Sequence, residues 1–160
     1  MALDTKEGQP TLSYAQIMTT LSRHFQSQLG LCAALEDIAD SLPHDVNKHK
    51  CMLAAQSIPS IVKTAHEFEE KFLYPSLKLG QSKPVSLPLN IERLRAEHCE
   101  DESFGDEVAD ALQELAEGQL KNVDKLSYML RGFFEGMRRH IAFEQEHLLP
   151  LLSNESTSHD

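Results

Sequence analysis

The chain has 160 residues and carries 25 acidic against 15 basic side chains, a net charge of -10. That length suits one domain with a single core, and the negative charge argues against nucleic acid or an anionic membrane surface as partner. Three cysteines, Cys32, Cys51 and Cys99, include no Cys-x-x-Cys pair, so they predict reduced, packed thiols in a cytoplasmic protein, not a disulfide framework. The first ten residues lack the basic and apolar regions of an export signal, and no run approaches about 18 apolar residues, so no membrane span is expected.

Four long segments with helical periodicity follow, and no useful period-two strand pattern interrupts them. The first is expected from about Thr11 to Asp40, with Ile17, Leu21, His24, Gln28, Leu31, Leu35 and Ile38 on one stripe. Ser41-Leu42-Pro43 provides a stop and restart, with Pro43 placed near a first helical position. The second runs from about His44 to Tyr74. Pro59 inside it should kink or briefly break it. Beyond Pro59 the inward face reads Val62, His66, Glu70, Leu73, Leu77. Gly80 to Pro88 reads as a loop.

The third segment spans about Leu89 to Glu117, with Ile91, Leu94, His98, Glu102, Gly105, Val108 and Leu112 on its stripe and Gly118 closing it. The fourth covers about Gln119 to Leu149 and is expected to stop at Pro150. Its apolar series, Leu130, Phe134, Met137, Ile141, Leu148, is interrupted by Glu144, with His140 one turn earlier on the same side. Short connections make sequential helices antiparallel, so the expected fold is all-α, an up-down-up-down antiparallel four-helix bundle. It covers residues 11–152, with flexible tails at 1–10 and 153–160.

That topology can be tested against the histidines. His24 and His98 lie about ten to twelve residues after their helix starts, and His66 and His140 lie nine and ten residues before Pro75 and Pro150. At about 1.5 Å rise per residue, all four imidazoles reach one level, roughly 15 Å from the same bundle end. Singly, each could be an ordinary core histidine. Together, with glutamates on the same stripes, they point to a metal site, because buried charges are paired or bind metal. His66-x-x-x-Glu70 and His140-x-x-x-Glu144 each put an imidazole and a carboxylate one turn apart on one face. Nitrogen and oxygen donors without thiolate favour iron, manganese or zinc. His44, His49 and His159 read as solvated, His147 as a surface or supporting residue, and Cys99 as packed.

One His on the first helix, His-x-x-x-Glu on the second, His on the third and His-x-x-x-Glu on the fourth resembles the hemerythrin-like, or HHE cation-binding, domain family. The strings His66-Glu-Phe-Glu-Glu-Lys-Phe-Leu-Tyr-Pro75 and His140-Ile-Ala-Phe-Glu-Gln-Glu-His-Leu-Leu-Pro150 are similar to that family's helix ends. The resemblance implies two iron ions per chain, a non-haem, oxo- or hydroxo-bridged pair, ahead of manganese or zinc. Its ligands would be His24, His66, His98 and His140, with Glu70 and Glu144 as bridging carboxylates. The oxygen-carrying members have a further His where this chain has Glu102, so Glu102 joins the candidate ligands. Because Pro75 follows His66 by nine residues and Pro150 follows His140 by ten, Glu69 stays open as an alternative to Glu70. Glu67 is a further, solvated carboxylate.

The function this implies is binding of metal and reaction with, or sensing of, dioxygen or a related small oxidant. A di-iron enzyme reducing peroxide or nitric oxide, and an iron-sensing regulatory module, are the alternatives; a protein partner is not specified. Glu102, a harder donor than imidazole, should favour ferric iron and hence redox chemistry over oxygen carriage.

Overall fold

A computed structural model of the chain describes residues 11–77 and 84–153, and every regular element among them is helical. The four expected segments are all present. The first is α1 (Tyr14–Ser41). The second comprises α2 (Lys48–Phe68), a π turn (Glu69–Leu73) and α3 (Tyr74–Leu77). The third is α4 (Leu87–Ala116). The fourth comprises α5 (Val123–Phe143), a second π turn (Glu144–Leu148) and α6 (Leu149–Ser153). Helix α1 packs on α2 and α5, and α4 packs on the same two, so the four long segments enclose one apolar core.

The helix starts are set by side-chain caps. Ser13 caps α1, its Oγ accepting from Gln16 N while Gln16 Oε1 accepts from Ser13 N, a reciprocal capping box. Asn47 and Asn122 cap α2 and α5 through hydrogen bonds from Lys50 N and Lys125 N. These caps place both starts a few residues later than periodicity suggested. Pro43 lies in the connection, not at a first helical position, and the chain at Gln119–Lys121 is non-helical. Gly118, at φ +73°, closes α4. Gly118 N donates to Leu115 O and Gln119 N to Glu114 O, the paired bonds of a Schellman motif, which favours glycine at the left-handed position.

Further proline expectations change. Helix α2 runs unbroken through Pro59. The proline costs about 3 kcal/mol in an isolated helix, but the neighbouring Ile58 and Val62 are fully buried and each contributes about 1.5–3 kcal/mol. Pro150 does not stop the last segment, which continues to Ser153 and so takes in the first residue of the expected tail. Pro75 likewise sits inside a helix. Each of the two follows a π turn, in which Tyr74 N bonds back to Glu69 O and Leu149 N to Glu144 O. The wider turn gives the proline ring room, and the missing donor falls where the hydrogen-bond register is already changing. Leu87 and Pro88, expected in the loop, form the first turn of α4; residues 80–83 of that loop, the tail 1–10 and residues 154–160 lie outside the described residues.

Gly105 on α4 allows a close crossing, because a Cβ there would stand 3.1 Å from Ile58 of α2 and 3.3 Å from Phe133 of α5. Arg131–Asp40 and Arg138–Glu36 tie α5 to α1 at the surface. Cys32 and Cys51 are buried and free, whereas Cys99 is exposed, not packed. None of the described helices is long and apolar enough to cross a membrane.

Candidate metal centre

Inside this apolar shell six polar side chains are buried among the described residues: Gln28, His66, Glu69, His98, His140 and Glu144. The two π turns begin at Glu69 and Glu144, each six residues ahead of its proline. Single π turns inside α-helices are frequent at functional sites. Here the two halves of the bundle carry the same device at the same place, with a carboxylate at its head.

Four donor atoms, one each from Glu69, His98, His140 and Glu144, lie within 4.8 Å of one another. His98 Nε2 stands 3.0 Å from Glu69 Oε2 and 3.4 Å from His140 Nε2. His140 Nε2 in turn stands 3.1 Å from Glu144 Oε1 and 3.7 Å from Glu69 Oε2. Donors held at about 2.1 Å from one ion are about 3.0 Å apart at octahedral and 3.4 Å at tetrahedral angles, so these spacings suit a single cation. The partners left over point the same way. Glu69 Oε1 and Glu144 Oε2 are buried with no hydrogen-bond partner, and an unpaired buried acceptor costs about 1–3 kcal/mol. Buried carboxylate oxygens with nothing to accept from are what a cation would satisfy, and nitrogen and oxygen donors without thiolate suit iron, manganese or zinc.

Residues 17–152 match the family model for the Hemerythrin HHE cation binding domain. The chain belongs to that family. No curated protein and no solved structure matched. In this hemerythrin-like domain the buried His/Glu group is compatible with metal binding in its chemistry as well as its geometry.

The candidate residues divide into two sets. His66, His98, His140 and Glu144 are buried together, with His66 stacked on His98 at 3.8 Å between ring centroids. Glu70 and Glu102 stand at the far nitrogens of these rings. Glu70 Oε1 accepts from His98 Nδ1 at 2.7 Å, and Glu102 Oε1 pairs with His66 Nδ1 at 3.1 Å. Their side chains are 37% and 33% exposed, against 1% for Glu69. A carboxylate at Nδ1 fixes the tautomer that turns the Nε2 lone pair inward. His24 is half-buried, edge-on to Phe68 at 5.2 Å, and its Nδ1 has no partner; the adjacent Phe25 takes the fully buried place. Glu67, His44, His49 and His147 are exposed, and His159 lies outside the described residues.

Tyr74 was not singled out by the sequence. It is fully buried, and its hydroxyl donates to Glu144 Oε1 at 3.0 Å while standing 3.1 Å from His98 Nε2 and 3.5 Å from Glu69 Oε2. The signal available was its place beside Leu73 and Leu77 on the buried face.

Protonation follows from burial and neighbours. Burial, reinforced by His98, drops the His66 pKa to about 3, so this ring is neutral. Burial also opposes charge on His140, but its hydrogen bonds to the Glu144 and Glu69 carboxylates outweigh it and raise the pKa to about 10. His98 is raised in the same way by Glu69 and Glu70. Burial lifts Glu144 to about 7, helped by the adjacent Glu69 charge, while the two imidazoles overcome burial and hold Glu69 ionised. Burial and then Glu144 and Glu69 push the Tyr74 phenol far above its usual range.

A cavity of about 350 Å³ between α4 and α5, lined by Arg93, Glu97, Asp101, Arg139, His140 and Phe143, reaches the His140 ring. It is large enough for a diatomic molecule or peroxide to approach from that side. The larger surface cavities, of about 700 Å³ and 710 Å³, touch none of the site residues.

Proposed function

We propose that the domain is an up-down-up-down bundle in the cytoplasm that holds a non-haem pair of iron ions and reacts with, or senses, dioxygen or a related small oxidant. One observation carries the two-ion reading: each buried carboxylate meets the imidazoles through one oxygen and leaves the other buried and unpartnered. A carboxylate with one oxygen committed and one free is disposed to bridge two cations. The buried, partnerless Nδ1 of His24 and the ring of His66 would supply the donors for a second ion, while Glu70 and Glu102 would orient His98 and His66. When bound, such a pair supplies redox equivalents toward a small oxidant. The residues do the rest: the apolar shell excludes bulk water, and the cavity beside His140 admits a small molecule.

With Glu102 spent on His66, the two buried carboxylates stand with one imidazole fewer than in the oxygen-carrying members, a set that favours ferric iron and so redox chemistry over reversible carriage. The test is metal analysis of purified protein, followed by anaerobic reduction, addition of dioxygen and flushing with argon. About two irons per chain and an oxidised spectrum that argon does not reverse are expected. A long-lived species that returns to the reduced spectrum would restore the oxygen carrier, and protein that takes up no iron would end the reading.

A further inference from the structure

Tyr74 has a role that none of the family's imidazole and carboxylate positions covers. Its oxygen lies 3.0, 3.1 and 3.5 Å from donor atoms of Glu144, His98 and Glu69. These are the spacings that the four donors keep among themselves, so the oxygen meets the same test of common coordination as they do. The ring is fully buried, held by the π turn that sets Glu69 inward and followed at once by Pro75. Its plane lies 17° from that of His98 at 5.7 Å, which fixes the direction of the hydroxyl. Glu102, a candidate ligand standing where the oxygen-carrying members have a further His, is turned away to His66. One inward donor place is thereby left to Tyr74.

We propose that Tyr74 is a ligand of the ferric centre, bound as tyrosinate. The proposal rests on the metal-centre reading above and specifies its donor set. Coordination exchanges the O–H bond for an oxygen–iron bond and releases one proton to solvent for each tyrosinate formed. No change of oxidation state accompanies that step. The phenolate is a hard anionic donor and suits ferric iron better than ferrous.

The chain has three tyrosines, and the other two reach the surface, Tyr14 at 41% and Tyr128 at 86% exposure. The test loads metal-free protein with ferrous iron under argon, oxidises it with ferricyanide and records visible absorption and resonance Raman spectra. A phenolate-to-iron charge-transfer band with enhanced phenolate ring vibrations is expected. Both should vanish in Tyr74→Phe at equal iron content. Should that variant fail to fold, Tyr14→Phe/Tyr128→Phe leaves a single tyrosine and must keep both signals. Wild-type protein that holds iron without phenolate vibrations overturns the proposal while leaving the metal-centre reading intact. Their persistence in Tyr74→Phe, or their loss in the double variant, does the same. Wild-type protein that binds no iron overturns both.

Discussion

Glu69 and Glu70 are adjacent, chemically identical, and assigned different work by the π turn, so they make a sharp test. Glu69 has an almost fully buried side chain facing His98 and His140, whereas Glu70 is more than one-third exposed and touches only the outer nitrogen of His98. Glu69→Gln removes the anion from a buried pair, and breaking such a pair costs about 3–5 kcal/mol. In Glu70→Gln the amide oxygen can still accept from His98 Nδ1, and a partly exposed ion pair contributes at most about 1 kcal/mol. For a domain of this size about 1 kcal/mol moves Tm by roughly 3 °C. Metal-free Glu69→Gln should therefore melt roughly 10 °C below the wild type, and Glu70→Gln within about 3 °C of it. Iron per chain should fall sharply in the first. In the second, affinity should drop by about tenfold or less, the low end for a residue that only orients a ligand. Thermal melts with circular dichroism and metal analysis after dialysis check both. Iron lost from Glu70→Gln and kept by Glu69→Gln would mean that the second helix keeps a regular α-register and that the π turn is wrong.

Ala substitution of His24, His66, His98 or His140 should lower iron content, whereas His44→Ala, His147→Ala and His159→Ala should keep it; metal analysis of the seven proteins shows whether the two groups separate. Chelation should lower Tm by roughly 8–10 °C if free metal had stood at about 100 times Kd, which is worth about 2.7 kcal/mol; an unchanged Tm would count against a resident cation. In native protein only Cys99 should react promptly with a thiol reagent. Burial removes access to Cys32 and Cys51 and pushes the Cys32 thiol up to about 11, so all three should react only after unfolding.

Helical periodicity alone located the four long segments and put His66, His98, His140 and Glu144 on buried faces, because a 3.6-residue repeat fixes which side chains share a side. The same repeat misdirected the choice between Glu69 and Glu70. A π turn changes the angular step per residue, so counting four from His66 no longer lands inward. The unequal distances from His66 and His140 to their prolines hinted at this, and measuring from the carboxylates shows why. Glu69 and Glu144 are each six residues ahead of a proline, so the carboxylate and the proline, not the histidine, mark the repeated unit. The structure likewise seats Phe25 where His24 was expected to be buried, a choice between adjacent residues on one face that periodicity does not resolve. Tyr74 was passed over because a tyrosine on an apolar stripe reads as core until its hydroxyl is seen to have polar neighbours.

The polarity of the core explains why the fold tolerates its own least stable features. Each carboxylate pairs with the imidazoles through one oxygen but leaves its other oxygen buried and unpaired, at about 1–3 kcal/mol apiece. Both π turns add irregular hydrogen bonding at the same level. Left empty, the site therefore opposes folding on two counts, and Tyr74 offsets part of it by donating to Glu144. A cation held by Glu69, His98, His140 and Glu144 would reverse the sign, because it would satisfy the unpaired oxygens and the imidazole lone pairs. Glu70 and Glu102 then keep the rings aimed from outside, where exposure makes their own charges cheap. Stability and metal affinity would thus be linked in this domain, so that chelation and the loss of a buried carboxylate should both lower Tm.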